Sequence, residues 1–224
     1  MNITNDKVTE YLEELYRPFN DELKQLRDIA DKHNVPIIRK DSETFLLNMI
    51  RMGKPRRILE IGTAMGYSAI CFALAAPAAE IVSLERSEKM CRYALTNIEK
   101  FGLSQRIRVI EGDALESLRG LAGEIEDVDA DGYDFVFIDA AKSLYRKFWD
   151  ACVPLCRNEA LILSDNVLLS GRTASDEFIT ERRQKTSVRH MREYLSYITK
   201  LDYADTAVIA VGDGIAVSVL KNKG

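Results

Sequence analysis

Five short β-rich runs, at 57–61, 81–84, 107–110, 135–138 and 160–163, alternate along the chain with stretches of helical character. Each run is apolar almost throughout, as expected for strands buried on both faces, so the alternation dictates a largely parallel sheet with helices on either side. The end of the chain breaks the pattern. Two further apolar runs, at 207–211 and 215–219, are joined by Gly212-Asp213-Gly214, and an Asp-Gly turn between such runs signals a hairpin. The last strand should therefore run antiparallel to its neighbour. A seven-stranded, mostly parallel α/β sheet closed by a C-terminal antiparallel hairpin is Rossmann-like but is not the plain dehydrogenase pattern.

The 224 residues suit one α/β domain, with residues 1–53 as a helical preface and 54–224 as the core. In the preface, Leu12, Leu15, Phe19, Leu23, Leu26 and Ile29 recur near a 3.6-residue period, which predicts an amphipathic helix over 7–32 with a break at Pro18. A second helix is predicted from Asp41, as N-cap, to Met52 before Gly53. Hydrophobic residues at 46% and charged residues at 29% exclude a disordered chain. No apolar run approaches the roughly 20 residues that span a bilayer, and the segment from Met1 to Lys7 lacks a basic-then-apolar leader, so a cytoplasmic protein without a membrane partner is expected. Cys71, Cys91, Cys152 and Cys156 lack Cys-x-x-Cys spacing and read as reduced thiols on helices. The acidic stretch 124–131 reads as a solvated loop.

The first strand runs into Glu60-Ile61-Gly62-Thr63-Ala64-Met65-Gly66-Tyr67-Ser68, a glycine turn between strand and helix. Such a junction exposes backbone N–H groups at a positive helix end and can hold the polar part of a nucleotide-like ligand. The acid at Glu60 would repel a pyrophosphate and attract an ammonium group, which suits the amino acid end of S-adenosylmethionine. Glu85 ends the second strand about twenty residues beyond the turn, the spacing of a ribose-binding carboxylate. At the third strand's end, the Asp113 side chain and the Ala114 N–H can meet an adenine edge; Ser68 either caps the first core helix or touches the methionine carboxylate. Taken singly, Glu85 reads as a surface acid and Asp113 as a turn former; their coincidence at successive strand ends favours a bound adenosine group.

The fourth and fifth strands end in Asp139-Ala140-Ala141-Lys142 and Ser164-Asp165-Asn166. Two carboxylates and an amide meeting without His or Cys form a hard-oxygen donor set, which selects Mg2+. An ion held there would chelate two adjacent substrate oxygens and acidify a hydroxyl, leaving Lys142 to receive the proton. The plainer alternative is that Asp139 caps a helix, Asp165 and Asn166 form a turn, and Lys142 is solvated.

Taken together, these motifs resemble the catechol O-methyltransferase-like family of class I, metal-dependent methyltransferases, over nearly the whole chain. That resemblance implies Asp139, Asp165 and Asn166 as metal ligands and Lys142 as general base. It also implies Ile38, Ser68, Glu85, Asp113 and Ala114 as cofactor-lining residues, Asp139 near the transferable methyl, and a homodimer formed through the N-terminal helices. Within the family, the His33-Asn34-Val35-Pro36-Ile37-Ile38 segment, the loop after Asp165-Asn166-Val167-Leu168 and the Val211-Gly212-Asp213-Gly214-Ile215-Ala216 hairpin are most similar to bacterial tRNA 5-hydroxyuridine methyltransferases. These make 5-methoxyuridine at the wobble position, where a 5-hydroxyl beside the C4 carbonyl offers two adjacent oxygens as a catechol does.

A net charge of −4 does not advertise a nucleic-acid binder. The segment 171–192 is nevertheless locally basic, with Arg172, Arg182, Arg183, Lys185, Arg189 and Arg192. It reads equally well as a grip on anticodon-loop phosphates or as an amphipathic helix burying Met191, Leu195 and Ile198. Three other readings compete with tRNA methylation: the same chemistry on a small catechol or caffeoyl-CoA-like ester, a nicotinamide-dependent oxidoreductase, and a noncatalytic RNA-binding module. Glu60 and the closing hairpin speak against the oxidoreductase.

Overall fold

The structure is a computed structural model that describes residues 5–221; Met1 to Thr4, which carry part of the N-terminal reading, lie outside the described residues. The preface separates into α1 (Asp6–Leu15) and α2 (Asp21–Lys32). Pro18 falls in the gap, where its missing N–H and its bias against a helical Arg17 end the first helix. Asn20 then caps α2 by accepting the Leu23 N–H at 2.8 Å. Next comes α3 (Lys40–Gly53), with Arg39 at its cap position. Asp41 is therefore not the N-cap predicted from sequence: it lies in the first turn and accepts the N–H of Gly212, at 2.9 Å, from the far end of the chain.

The core follows as β1 (Arg57–Ile61), α4 (Tyr67–Ala75), β2 (Glu80–Glu85), α5 (Glu88–Lys100), β3 (Ile107–Glu111), α6 (Ala114–Ala122), a short α7 (Val128–Asp131), β4 (Tyr133–Ile138), α8 (Tyr145–Cys152), β5 (Cys156–Ser164), α9 (Gln184–Ile198), β6 (Ala204–Ile209) and β7 (Ile215–Leu220). The seven strands form one sheet in the order β3-β2-β1-β4-β5-β7-β6. All pairs from β3 to β5 are parallel, and β7 alone runs antiparallel to both of its neighbours. The expected sheet is thus present, with local corrections. The first hairpin strand is Ala204–Ile209 rather than 207–211, because the turn closed by the Gly214 N–H to the Val211 carbonyl takes up the end of that run. The acidic stretch contains α7, capped by Asp127, and Cys156 opens β5 instead of lying on a helix; all four cysteines are buried and free.

Period-2 alternation divides the core between the two faces. Phe135 and Phe137 of β4 meet Phe72 of α4 edge-on, with ring centroids 5.9 and 5.3 Å away, while Val136 and Ile138 join the cluster under α8 and α9. On that second face Tyr194 packs against Tyr145 at 5.5 Å and against Trp149 at 6.3 Å. Among the described residues no helix is long and apolar enough to cross a membrane.

The order of strands reverses between β1 and β4, and such a switch point opens a crevice at the carboxyl ends of the strands. Close backbone contact shapes this crevice. Gly62 has φ +106°, and a Cβ there would lie 2.0 Å from the Asp139 carbonyl oxygen. Gly62→Ala is therefore expected to destabilise the protein by roughly 3 kcal/mol or more, from the strained conformation and the backbone clash together. Urea unfolding checks this; an unchanged midpoint would contradict the close approach.

Candidate active site

A cavity of about 640 Å³ opens at the carboxyl ends of the strands. Ile38, Gly62, Ser68, Glu85, Asp113, Ala114, Asp139, Lys142, Asp165 and Asn166, all singled out from sequence, line it. Its volume is that of a small-molecule pocket.

Its β1–β2 side is built around Glu85. One carboxylate oxygen accepts the Ala64 N–H at 2.9 Å and the other the Ser87 N–H at 2.8 Å. Each oxygen retains a lone-pair direction, so the group can still accept a pair of hydroxyls. Ala64 sits at φ 45°, a conformation unusual for a residue with a Cβ, and the bond to Glu85 holds it there. Asp113 caps α6 through bonds from Leu115 and Glu116 N–H at 3.0 and 3.3 Å, so its turn-forming role and its position in the cavity wall coexist.

Glu60 is the exception. It is 0% exposed and does not line the cavity. Its side chain points to the same face as Ile58, under the start of α4, where it accepts hydrogen bonds from the Ser68 and Ser83 hydroxyls. Alternation in the strand turns Glu60 into the sheet–helix interface, and Ser68, bonded to it, is the residue that lines the cavity. Burial pushes the Glu60 carboxyl up to about 7, against the lowering effect of its two serine partners.

The β4–β5 side carries the charge cluster. Lys142, in a single 3-10 turn before α8, donates to Asp139 Oδ1 at 2.7 Å and to Asn166 Oδ1 at 2.9 Å. Its ammonium group also bonds to the Tyr145 hydroxyl at 2.7 Å, and that hydroxyl in turn donates to the Asp165 carbonyl at 2.8 Å. Tyr145 is a site residue that sequence reading missed, because an aromatic residue three positions after Lys142 is indistinguishable from core. Asp165 is buried; one carboxylate oxygen accepts the Asn166 N–H at 2.6 Å, and the other, Oδ2, has no partner among the described residues. Burial first, and the Asp139 charge second, raise the Asp165 carboxyl to about 7. Among the described residues no three His, Cys, Asp or Glu side chains cluster as a metal site. The donor set is instead two carboxylates and one amide, of which Asp139 and Asn166 bond to the Lys142 ammonium and Asp165 holds one unsatisfied buried oxygen. That set fits a hard dication.

The basic segment divides. Arg172 and Arg192 are used in local structure, bonding to the Leu169 carbonyl and to the Thr173 and Arg172 carbonyls respectively. The second half is α9, whose buried stripe is Val188, Met191, Tyr194 and Ile198, with Leu195 only half-buried. Arg182, Arg183, Lys185 and Arg189 remain exposed.

A mostly parallel sheet with a switch-point cavity and a charged cluster beside it places the chain in the class of α/β proteins that hold ligands at the strand ends. The family model for O-methyltransferases matches residues 15–221. The chain belongs to this O-methyltransferase family. It is 30% identical to caffeoyl-CoA O-methyltransferase 1 of Nicotiana tabacum, over 96% of this chain and 92% of that protein. It is 31% identical to the O-methyltransferase imqG of Aspergillus flavus, over 79% and 72% of the two chains. Among solved structures, the O-methyltransferase from Bacillus cereus in complex with SAH superposes with a TM-score of 0.82 at 27% identity, covering 96% of this chain and 97% of that one. Membership in this family excludes the oxidoreductase reading.

The raised Glu60 carboxyl gives a signed expectation. A folded-state value near 7 above an unfolded value of 4.5 means that the folded chain holds the extra proton, so this contribution to stability is full below pH 4.5 and is lost as the pH rises through 7. Glu60→Gln should therefore gain stability relative to wild type, by on the order of 3 kcal/mol, between pH 4.5 and 8. Denaturant unfolding of both proteins across that range tests this; a pH-independent difference would contradict it.

Proposed function

We propose that this O-methyltransferase transfers the methyl group of S-adenosylmethionine to the 5-hydroxyl of 5-hydroxyuridine at the wobble position of tRNA, with Mg2+ as cofactor. The observation that carries the reading is the joining of two sites in one cavity: the Glu85 side, ready to accept paired hydroxyls, and the Asp139–Lys142–Asp165–Asn166 cluster beside it.

The SAH-bound Bacillus cereus relative supports S-adenosylmethionine as donor. Glu85 accepts the ribose hydroxyls, Asp113 and Ala114 border the adenine, and Ser68 meets the amino acid end. Asp139, Asp165 and Asn166 would hold the Mg2+, and the unpartnered Oδ2 of Asp165 supports that assignment. Bound there, such an ion would supply Lewis acidity that favours the ionised form of the acceptor hydroxyl. Lys142, within reach of Asp139 and Asn166, would first have to give up its own proton to solvent, and as the neutral amine takes the hydroxyl proton; the acceptor oxygen then forms a bond to the methyl carbon as the carbon–sulfur bond breaks and SAH leaves. Tyr145 keeps the lysine aimed at the cavity.

Exposed Arg182, Arg183, Lys185 and Arg189, following the loop that carries Asn166, support an anticodon-loop substrate. The exposed apolar residues Tyr11, Leu12 and Leu15 of α1 support a homodimer through the N-terminal helices. The second reading keeps the chemistry and changes the acceptor to a catechol or caffeoyl-CoA-like ester; the Nicotiana relatives favour it.

Incubation with tRNA lacking 5-methoxyuridine, in parallel with a catechol panel, separates the two. The tRNA reading expects methyl incorporation into tRNA, found as 5-methoxyuridine by nucleoside mass spectrometry, and labelling of small phenols alone would reject it. On the accepted substrate, Lys142→Met is expected to lower kcat by roughly 100-fold or more, with little change in S-adenosylmethionine KM. Retention of wild-type kcat would remove Lys142 from the reaction.

A further inference from the structure

Behind the cavity lies a buried charge cluster that the reaction does not use. Arg27 of α2 is 6% exposed and Glu43 of α3 is 1% exposed, and they form an ion pair. Glu43 also accepts the hydroxyls of Tyr67, at 2.6 Å, and Tyr16, at 2.8 Å. Arg27 donates to the Ile38 carbonyl at 3.0 Å, and its guanidinium lies over the rings of Tyr67, 4.7 Å away, and Tyr16, 5.6 Å away. Ile38 and Tyr67 both line the cavity.

We propose that Arg27 and Glu43 are positioning residues for the cofactor, which fix the cavity wall formed by residues 35–38 and the first turn of α4. The inference rests on the reading of the cavity as the S-adenosylmethionine site.

Burying two charges carries a desolvation penalty that a well-made pair only roughly offsets, and apolar side chains of similar size would serve stability as well or better. Here the offset is incomplete, because the buried Nε of Arg27 has no partner among the described residues. What the pair supplies, and apolar side chains cannot, is direction. The wall segment 35–38 has no regular secondary structure; the Val35 N–H bonds to the Ala30 carbonyl at 2.9 Å at one end, and Arg27 holds the Ile38 carbonyl at the other. Tyr67 opens α4 directly after the Gly66 turn, so the bond from its hydroxyl to Glu43 sets where that helix begins. One carboxylate and one guanidinium thus tie the preface to two sides of the ligand cavity.

Calorimetric titration of the full chain with SAH, alongside steady-state kinetics, tests this. Arg27→Met is expected to weaken SAH binding about tenfold or more and to raise S-adenosylmethionine KM in parallel, with kcat at saturating donor within about threefold of wild type. It also leaves Glu43 buried and unpaired, so the double variant Arg27→Met/Glu43→Leu, which buries no lone charge, is the decisive arm. The double variant should recover the wild-type melting temperature yet keep the weakened SAH binding. Recovery of both would make the cluster merely structural and overturn the proposal, as would unchanged binding in either variant. Should the double variant also fail to fold, Tyr67→Phe, which removes one hydroxyl, must still weaken SAH binding or the proposal falls. Absence of SAH binding by wild type would be a different failure, overturning the reading of the cavity itself.

Discussion

Three backbone hydrogen bonds set the geometry on which the site depends. The N–H of Gly62 bonds to the Leu84 carbonyl, that of Asp139 to Ile61, and that of Asp165 to Ile138, at 2.9, 2.9 and 3.0 Å. Each strand in the centre of the sheet is thereby registered against its neighbour at the point where its chain leaves the sheet. The turn after β1 can approach the end of β4 only because residue 62 lacks a Cβ. Parallel pairing thus converts residues far apart in the chain into a row of side chains along one crevice, and the sequence places its acids, lysine and amide at those positions.

Along that row the electrostatics differ from end to end. At β2, Glu85 is satisfied by backbone N–H groups and keeps acceptor capacity for a neutral polar ligand. At β4 and β5, the lysine ammonium pairs with the Asp139 carboxylate and the Asn166 amide oxygen, while a buried carboxylate oxygen of Asp165 stays unpaired among the described residues. Such an arrangement favours additional positive charge, since a second carboxylate raises the cost of ionising the first. Glu60, behind the row, has its carboxyl raised by burial against the opposing effect of two serine hydroxyls, and its bond from Ser68 holds that residue at the cavity.

The sheet and most of the cavity lining were legible in the sequence because they rest on local signals: apolar runs, glycine turns, and polar residues at strand ends. The position of Glu60 was not. A strand buried on both faces gives no periodic cue to distinguish the side that opens to a ligand from the side that packs on a helix. The edge strand slipped for a related reason, since Val208 in the apolar run 207–211 is exposed and hydrophobicity does not mark its limits. Tyr145 and the Arg27–Glu43 pair escaped because their roles arise only in three dimensions. A usable signal for the pair did exist: Glu43 shares the buried face of α3 with Leu46, Leu47 and Ile50, and a charge there demands a partner.

In the function proposed, the ends of β4 and β5 would seat a divalent cation beside the donor cavity. Anomalous diffraction from crystals grown with SAH and Mn2+ in place of Mg2+ tests it most directly. The account predicts one strong peak bounded by the side-chain oxygens of Asp139, Asp165 and Asn166, with SAH in the adjoining cavity and Lys142 withdrawn from at least one of those oxygens. A cavity holding SAH with no peak there, and Lys142 still bonded to Asp139 and Asn166, would contradict it.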